Sequence, residues 1–335
     1  MKVTIKDIAR IAGVSTATVS KVMNRKDEHI SQATREKILK IMQEYNYIPN
    51  TAARSLVTKK TKTIGLVIPD IRNPFFPELA RGAEDKAHEE GYNIMFCNTD
   101  DDAEKEEKYV SMLIEKMVDG IIFTASSKRS SGFNYLKNNR VPIILVDRDI
   151  DLKGVKGKIT VDNCKGAYDG VKHLLQCGYK KVIFLSGPLT SHPSIERLKG
   201  YKKALEEFHV PYQEEYIFEG TYQRGWGYEV IKRLLEKEID FDALFCGNDL
   251  IAIEAIKALK QAGIKVPQEV GIVGFDDIYI APLINPELTT IRQPSYEMGY
   301  KAVDMLIKLL EKKGKSQEKV ILNTELIIRK STMQK

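Results

Sequence analysis

Two sets of residues in this 335-residue chain have the types and spacing for recognition chemistry. The first follows apolar runs: Asn73-Pro74-Phe75-Phe76, Asp147-Arg148, Asn248-Asp249 and Asp276-Asp277, with Arg197, Tyr222 and Gln293 on neighbouring segments. Ionised Asp, bidentate Arg, amides and flat rings together suit a sugar, whose hydroxyls need donors and acceptors and whose C–H faces stack on aromatics. The second set is the leading pattern Thr4-x-x-Asp7-Ile8-Ala9-x-x-Ala12-Gly13-Val14-Ser15-x-x-Thr18-Val19-Ser20-x-Val22-x-Asn24. Its spacing is the sequence form of a DNA-reading head.

The leading pattern predicts two short helices. Thr4 is a good N-cap, after which Ile5, Ile8, Ala9 and Ala12 share one face. Gly13 can supply a left-handed turn, and Ser15 or Thr16 can cap a second helix with Val19 and Val22 inward. Thr16, Ala17, Ser20 and Lys21 then point outward. Two helices sharing a small core across a glycine turn describe a helix-turn-helix, whose second helix enters the DNA major groove. Ser31 caps a third helix from about Gln32 to Tyr45, with Ile38, Ile41 and Met42 inward. An ordinary three-helix bundle would give the same periodicity, but charge argues against it. Residues 1–62 carry 13 Lys+Arg and 5 Asp+Glu, a net of +8, whereas the remainder carries 39 and 41, a net of −2. The chain's positive excess therefore sits in the small head, as attraction to phosphates requires.

Residues 49–62 read as a hinge. Pro49 can open a helix in which Ala52, Ala53 and Leu56 form a narrow apolar stripe. A helix of about two turns is marginal in water, so this one is expected to wind only on DNA.

From Thr63 onward, strand-length apolar runs alternate with amphipathic windows. Strands are expected at 64–68, 93–97, 120–123, 143–146, 182–185, 243–246 and 271–274. Helices are expected at 75–90, 103–117, 130–139, 164–177, 195–208, 225–237, 249–262 and 295–312, before a final strand at 320–328. This rhythm predicts parallel sheets covered on both faces, and its restart predicts two Rossmann-like subdomains. Ligands of such sheets bind beyond the carboxyl ends of the strands, so a small molecule is expected in the cleft between subdomains.

Catalysis finds little support. His29, His88, His173, His192 and His209 are dispersed, and no HExxH, G-x-S-x-G or phosphate-loop motif is present. Asp276-Asp277 could imitate a carboxylate pair, but adjacent residues at a strand end point to different sides. No catalytic residue, metal site or cofactor is expected. Cys97, Cys164, Cys177 and Cys246 lack CxxC spacing and read as reduced core thiols. No run approaches a membrane span and no signal peptide precedes the first helix, so a cytoplasmic protein with no membrane partner is expected. A periplasmic sugar carrier would need that signal and no basic head; a sugar-processing enzyme would need an acid/base pair in the cleft.

These motifs resemble the lactose repressor (LacI/GalR) family over nearly the whole chain, most like a ribose operon repressor. The resemblance implies a small all-α helix-turn-helix head (1–48), the hinge (49–62) and a type I periplasmic-binding-protein-like core (63–335). The core's N-terminal subdomain would be 63–161 plus 292–322, and its C-terminal subdomain 162–291 plus 323–335. It also implies a homodimeric repressor of a sugar-utilisation operon on a pseudo-palindromic operator. Thr16, Ala17 and Lys21 would read bases, with Thr4, Ser15, Thr18, Ser20 and Asn24 also in the DNA-binding set. Leu56 would wedge into the minor groove, and Ala53 would let two hinge helices approach. The core's sugar-facing set resembles that of periplasmic ribose-binding proteins. Asn73, Phe75, Phe76, Asp147, Arg148, Arg197, Asn248, Asp276 and Gln293 match by type, Tyr222 replaces a phenylalanine, and Pro69 replaces a serine. D-ribose or a related monosaccharide is the effector implied. The alternative within the family is a catabolite-control type whose corepressor is a phosphorylated carrier protein.

Overall fold

A computed structural model of the chain describes residues 3–24, 26–48, 60–126, 141–150, 154–312 and 318–334. The expected hinge helix, with Ala53 and Leu56, and the expected helix at 130–139 lie outside these residues. The chain divides into two compact units, residues 1–61 and 62–335.

In the first unit, α1 (Ile5–Ala12) opens with a capping box. Thr4 Oγ1 accepts from the Asp7 amide while Asp7 accepts from the Thr4 amide. The helix ends at Gly13, whose φ of 69° is left-handed. Ser15 caps α2 (Thr16–Met23) and Ser31 caps α3 (Gln32–Glu44), each hydroxyl accepting from the amide three residues on. Ile8, Ala9, Ala12, Val19, Val22, Ile38 and Ile41 form the shared core, with Met42 packed against it.

The second unit contains two six-stranded sheets. The first holds β1 (Thr63–Ile68), β2 (Asn93–Asn98), β3 (Gly120–Phe123), β4 (Ile143–Val146), β5 (Val155–Val161) and β11 (Glu318–Leu322), in the order β11-β5-β4-β3-β1-β2. All its pairings are parallel. The second holds β6 (Val182–Ser186), β7 (Ile217–Glu219), β8 (Ala243–Cys246), β9 (Gly271–Asp276), β10 (Thr289–Arg292) and β12 (Glu325–Ile327), in the order β12-β10-β9-β8-β6-β7. Only β12 runs antiparallel to its neighbour.

Strand alternation gives each sheet two apolar faces. In β1, Ile64, Leu66 and Ile68 join α4 (Phe75–Glu89) and α10 (Ser295–Leu310), while Val67 faces the opposite cluster with Val110 and Leu113 of α5 (Ala103–Glu115). In β8, Leu244 and Cys246 face α8 (Trp226–Glu236) and α9 (Asp249–Gln261), whereas Ala243 and Phe245 face α6 (Asn163–Gln176) and α7 (His192–Glu207). The helices α4 and α10 cross through glycines: a Cβ on Gly299 would lie 1.9 Å from the Leu79 carbonyl oxygen, and one on Gly82 would lie 2.0 Å from that of Tyr296.

The chain passes between the two sheets after β5, after β10 and between β11 and β12. That last passage corrects the expected single strand at 320–328. Leu322 completes the first sheet and, after Asn323-Thr324, Glu325 begins pairing in the second, so one apolar run serves two lobes. Strands β5, β7 and β10 were not anticipated. In β5, Lys156 and Lys158 interrupt the apolar run; β7 has three residues; and Thr289 and Thr290 make β10 polar although both are fully buried. The helix α7 begins at His192, three residues earlier than expected, with Pro193 in its first turn. Cys97, Cys177 and Cys246 are buried, and all four cysteines are free.

Candidate effector pocket and DNA-reading helix

The carboxyl ends of the two sheets deliver side chains from opposite lobes into one cleft of about 350 Å³, its open mouth included. Its walls are Asn73, Phe75, Phe76, Asp147, Arg148, Arg197, Tyr222, Asn248, Asp276 and Gln293, together with Pro193. All ten residues expected from the sequence therefore meet in one place. Pro193 was missed because a proline opening a helix carries no recognition signal of its own.

Local chemistry fixes each wall. Asn73 Oδ1 accepts from the Phe75 amide at 3.1 Å, which holds the turn into α4. Phe75 and Phe76 meet edge to face with ring centroids 5.1 Å apart. Arg148 donates to Asp101 and to the Ala125 carbonyl, both at 2.7 Å, so its charge is met within its own lobe. Arg197 donates to Asn163 Oδ1 at 2.8 Å and to the Gly247 carbonyl, with its guanidinium 3.7 Å over the Phe275 ring. Those partners are neutral, so its positive charge stays directed at the cleft carboxylates. Tyr222 lies against Gly187, where a Cβ would come within 2.3 Å of the ring. Its hydroxyl is tied to Ser194 at 2.8 Å, and Ser194 to Ser191 at 2.9 Å.

Two amides have spare capacity. Asn248 caps α9 by accepting from the Ile251 amide at 2.9 Å, leaving its buried Nδ2 without a partner. Gln293 donates to Asp276 Oδ1 at 2.6 Å, leaving its buried Oε1 likewise unpartnered. A buried polar atom without a hydrogen bond is costly, and a polyhydroxylated ligand could satisfy both.

The carboxylates are perturbed. Burial pushes the Asp147 carboxyl above its ordinary value, against the pull of Arg148, Arg197 and His192. Burial also raises Asp276, to about 7, opposed by Arg197 and the Gln293 hydrogen bond and reinforced by Asp147. Neither acts as a helix cap. Both have left-handed backbones, with φ of 68° at Asp147 and 123° at Asp276, a strained geometry associated with ligand clamps. Asp277 turns away to bind Arg292 at 2.8 Å and Arg329 at 2.6 Å, so the pair is not a catalytic dyad. Asp249 sits behind the wall, accepting from Thr290 Oγ1 and from the Ile278 amide at 2.9 Å. It thereby ties β10 and the segment after Asp276 to the start of α9, a role its position beside Asn248 did not reveal. No group of His, Cys, Asp and Glu able to hold a metal ion occurs among the described residues.

On the head, Thr16, Ala17 and Lys21 lie exposed along α2, and Ser20 is half-buried. The other polar residues also serve the fold. Ser15 and Thr18 share a 2.9 Å hydroxyl contact, Asn24 donates to the Ser20 carbonyl at 2.8 Å, and Thr4 is held in its capping box. The free face of α2 is thus Thr16, Ala17 and Lys21.

Residues 4–50 match the family described as bacterial regulatory proteins, lacI family, and residues 61–330 match the family of periplasmic binding proteins and sugar binding domain of LacI family. The chain belongs to the lacI family. It is 42% identical over 335 residues to the HTH-type transcriptional regulator RegA of Clostridium saccharobutylicum, covering 99% of this chain and 100% of that protein. In structure it is similar to the lac repressor dimer bound to operator and the anti-inducer ONPF, with a TM-score of 0.87 and 27% identity over 99% of this chain and 100% of that one. It is also similar to a LacI family transcriptional regulator from Enterococcus faecium with bound ribose, with a TM-score of 0.73 and 28% identity over 82% of this chain and 99% of that one. Like its lacI relatives, the chain is a DNA-binding transcriptional regulator and not an enzyme. No helix among the described residues is long and apolar enough to cross a membrane.

Proposed function

We infer that this lacI-family regulator is a cytoplasmic homodimeric repressor of a sugar-utilisation operon, released from a pseudo-palindromic operator by a pentose, with D-ribose the first choice. The observation that carries this reading is the cleft itself. Carboxylates Asp147 and Asp276, the guanidinium of Arg197, two amides with unused capacity and the rings of Phe75, Phe76 and Tyr222 line one small cavity. That inventory matches the hydroxyls and C–H faces of a neutral monosaccharide. The ribose-bound relative from Enterococcus faecium supports the choice of sugar.

In this reading the two heads present Thr16, Ala17 and Lys21 to successive major grooves, and hinge residues Ala53 and Leu56 pair at the centre of the operator. Sugar drawn between the lobes favours one lobe arrangement, and the coupling to DNA is the difference in sugar affinity between the DNA-bound and free states. The test is operator binding by the intact protein against a panel of pentoses and hexoses. D-ribose is expected to dissociate the complex. A protein indifferent to every sugar, yet bound more tightly to operator with a phosphorylated carrier protein, would overturn this reading in favour of catabolite control.

A further inference from the structure

One wall of the cleft stands on a loop. Tyr222 lies in the irregular segment between β7 and α8, where its neighbours Gln223 and Arg224 are exposed. Gly187 meets its ring and Ser194 holds its hydroxyl, but neither contact sets the course of the backbone that delivers it.

That backbone runs into a helix start without a cap of its own. Gly225, at the N-cap of α8, has a left-handed φ of 97° and offers no side chain. The first amides of a helix need acceptors, ordinarily a hydroxyl or carboxylate at that position. Here the acceptor comes from another helix. Half-buried Glu254 of α9 accepts from the Gly225 amide at 2.7 Å through Oε1 and from the Gly227 amide at 3.0 Å through Oε2. The carboxylate thus spans Trp226, whose ring lies against Gly220, where a Cβ would come within 1.9 Å. The Gly220 amide in turn donates to the Ser186 carbonyl at 3.1 Å, so the loop is pinned at both ends.

We infer that Glu254 is a positioning residue for effector binding: without touching the effector, its carboxylate holds the loop 220–225 in the course that places Tyr222 in the cleft. One helix then sets two walls, Asn248 directly at its start and Tyr222 through Glu254 further along. This rests on the effector reading above, with D-ribose as the probe.

Calorimetric titration of D-ribose into the intact protein would compare wild type, Glu254→Ala, Tyr222→Ala and the double variant, with operator binding measured for each and the emission of Trp226, the single tryptophan, recorded without sugar. Glu254→Ala is expected to weaken sugar binding about tenfold, the size of one lost charge-assisted hydrogen bond, and to shift Trp226 emission to the red as its ring leaves Gly220. Unchanged operator binding shows that the variant folds. In the Tyr222→Ala background, Glu254→Ala is expected to cause no further loss, because both changes act through one ring; a general loosening of the lobe would make the losses add. Should Glu254→Ala fail to fold, Glu254→Gln, which keeps one acceptor, is expected to show the same pattern at smaller size. The inference is overturned if sugar affinity survives the loss of the carboxylate, if the two losses add, or if Trp226 emission does not move. Failure of the wild-type protein to bind sugar overturns the pentose reading instead; the course of the loop is then read from Trp226 alone, and an unshifted emission overturns the inference as well.

Discussion

Replacing Asp276 by asparagine should stabilise the protein while abolishing its response to sugar. The carboxyl is buried, and its pKa rises from 3.8 to about 7. A folded-state pKa above the unfolded value means that the native state holds more protons, so stability falls as pH rises between those values. The gap, at about 1.4 kcal/mol per tenfold, corresponds to at most about 4 kcal/mol of native-state stability lost by neutral pH. The asparagine amide carries no charge to desolvate. The substitution also removes the repulsion that helps raise Asp249, whose carboxyl burial pushes well above its ordinary value. Denaturant unfolding of the wild-type and Asp276→Asn proteins at several pH values between about 4 and 8 measures the effect. Trp226, the single tryptophan, reports from the second lobe. The variant's advantage should widen with pH by about 2 to 4 kcal/mol, mostly between about pH 4 and 7. Parallel stability curves would refute the claim that burial strains this carboxylate, and an undiminished sugar response would remove it from the site.

Two further substitutions probe other links. Gly299→Ala drives a methyl into the Leu79 carbonyl oxygen at the α4–α10 crossing, and should lower unfolding stability by about 2 kcal/mol or more; an unchanged melting temperature would show that the helices can part freely. Lys21→Ala removes an exposed amine from the free face of α2, and should weaken operator binding and alter base preference, by about 1 to 3 kcal/mol if it reads a base. Equal losses on specific and random DNA would reassign Lys21 to phosphate contact alone.

Where one force dominated, the sequence was legible. Runs such as Ile143–Val146 and Ala243–Cys246 are buried along their whole length, so apolarity alone locates them. The head was equally plain because Thr4, Gly13 and Ser15 act through bonds to near neighbours. The cleft residues were identifiable because an open parallel sheet always presents the same end to its ligand. What stayed hidden depended on long-range partners. Thr289 and Thr290 look like loop residues, yet β9 pairing and hydrogen bonds to Thr332 and Asp249 bury them in a strand. The role of Asp249 needs Thr290 and Ile278, which lie far along the chain. The division of the final apolar run between two sheets follows from topology and leaves no trace in composition; only the family resemblance places a boundary there.

The coupling between cleft and operator is open to a thermodynamic test. D-ribose would be titrated into the intact protein alone and into its operator complex, and operator affinity measured with and without saturating sugar. Reciprocal coupling predicts that operator weakens sugar binding by the same factor by which sugar weakens operator binding. One dissociation constant for sugar in both states would contradict it.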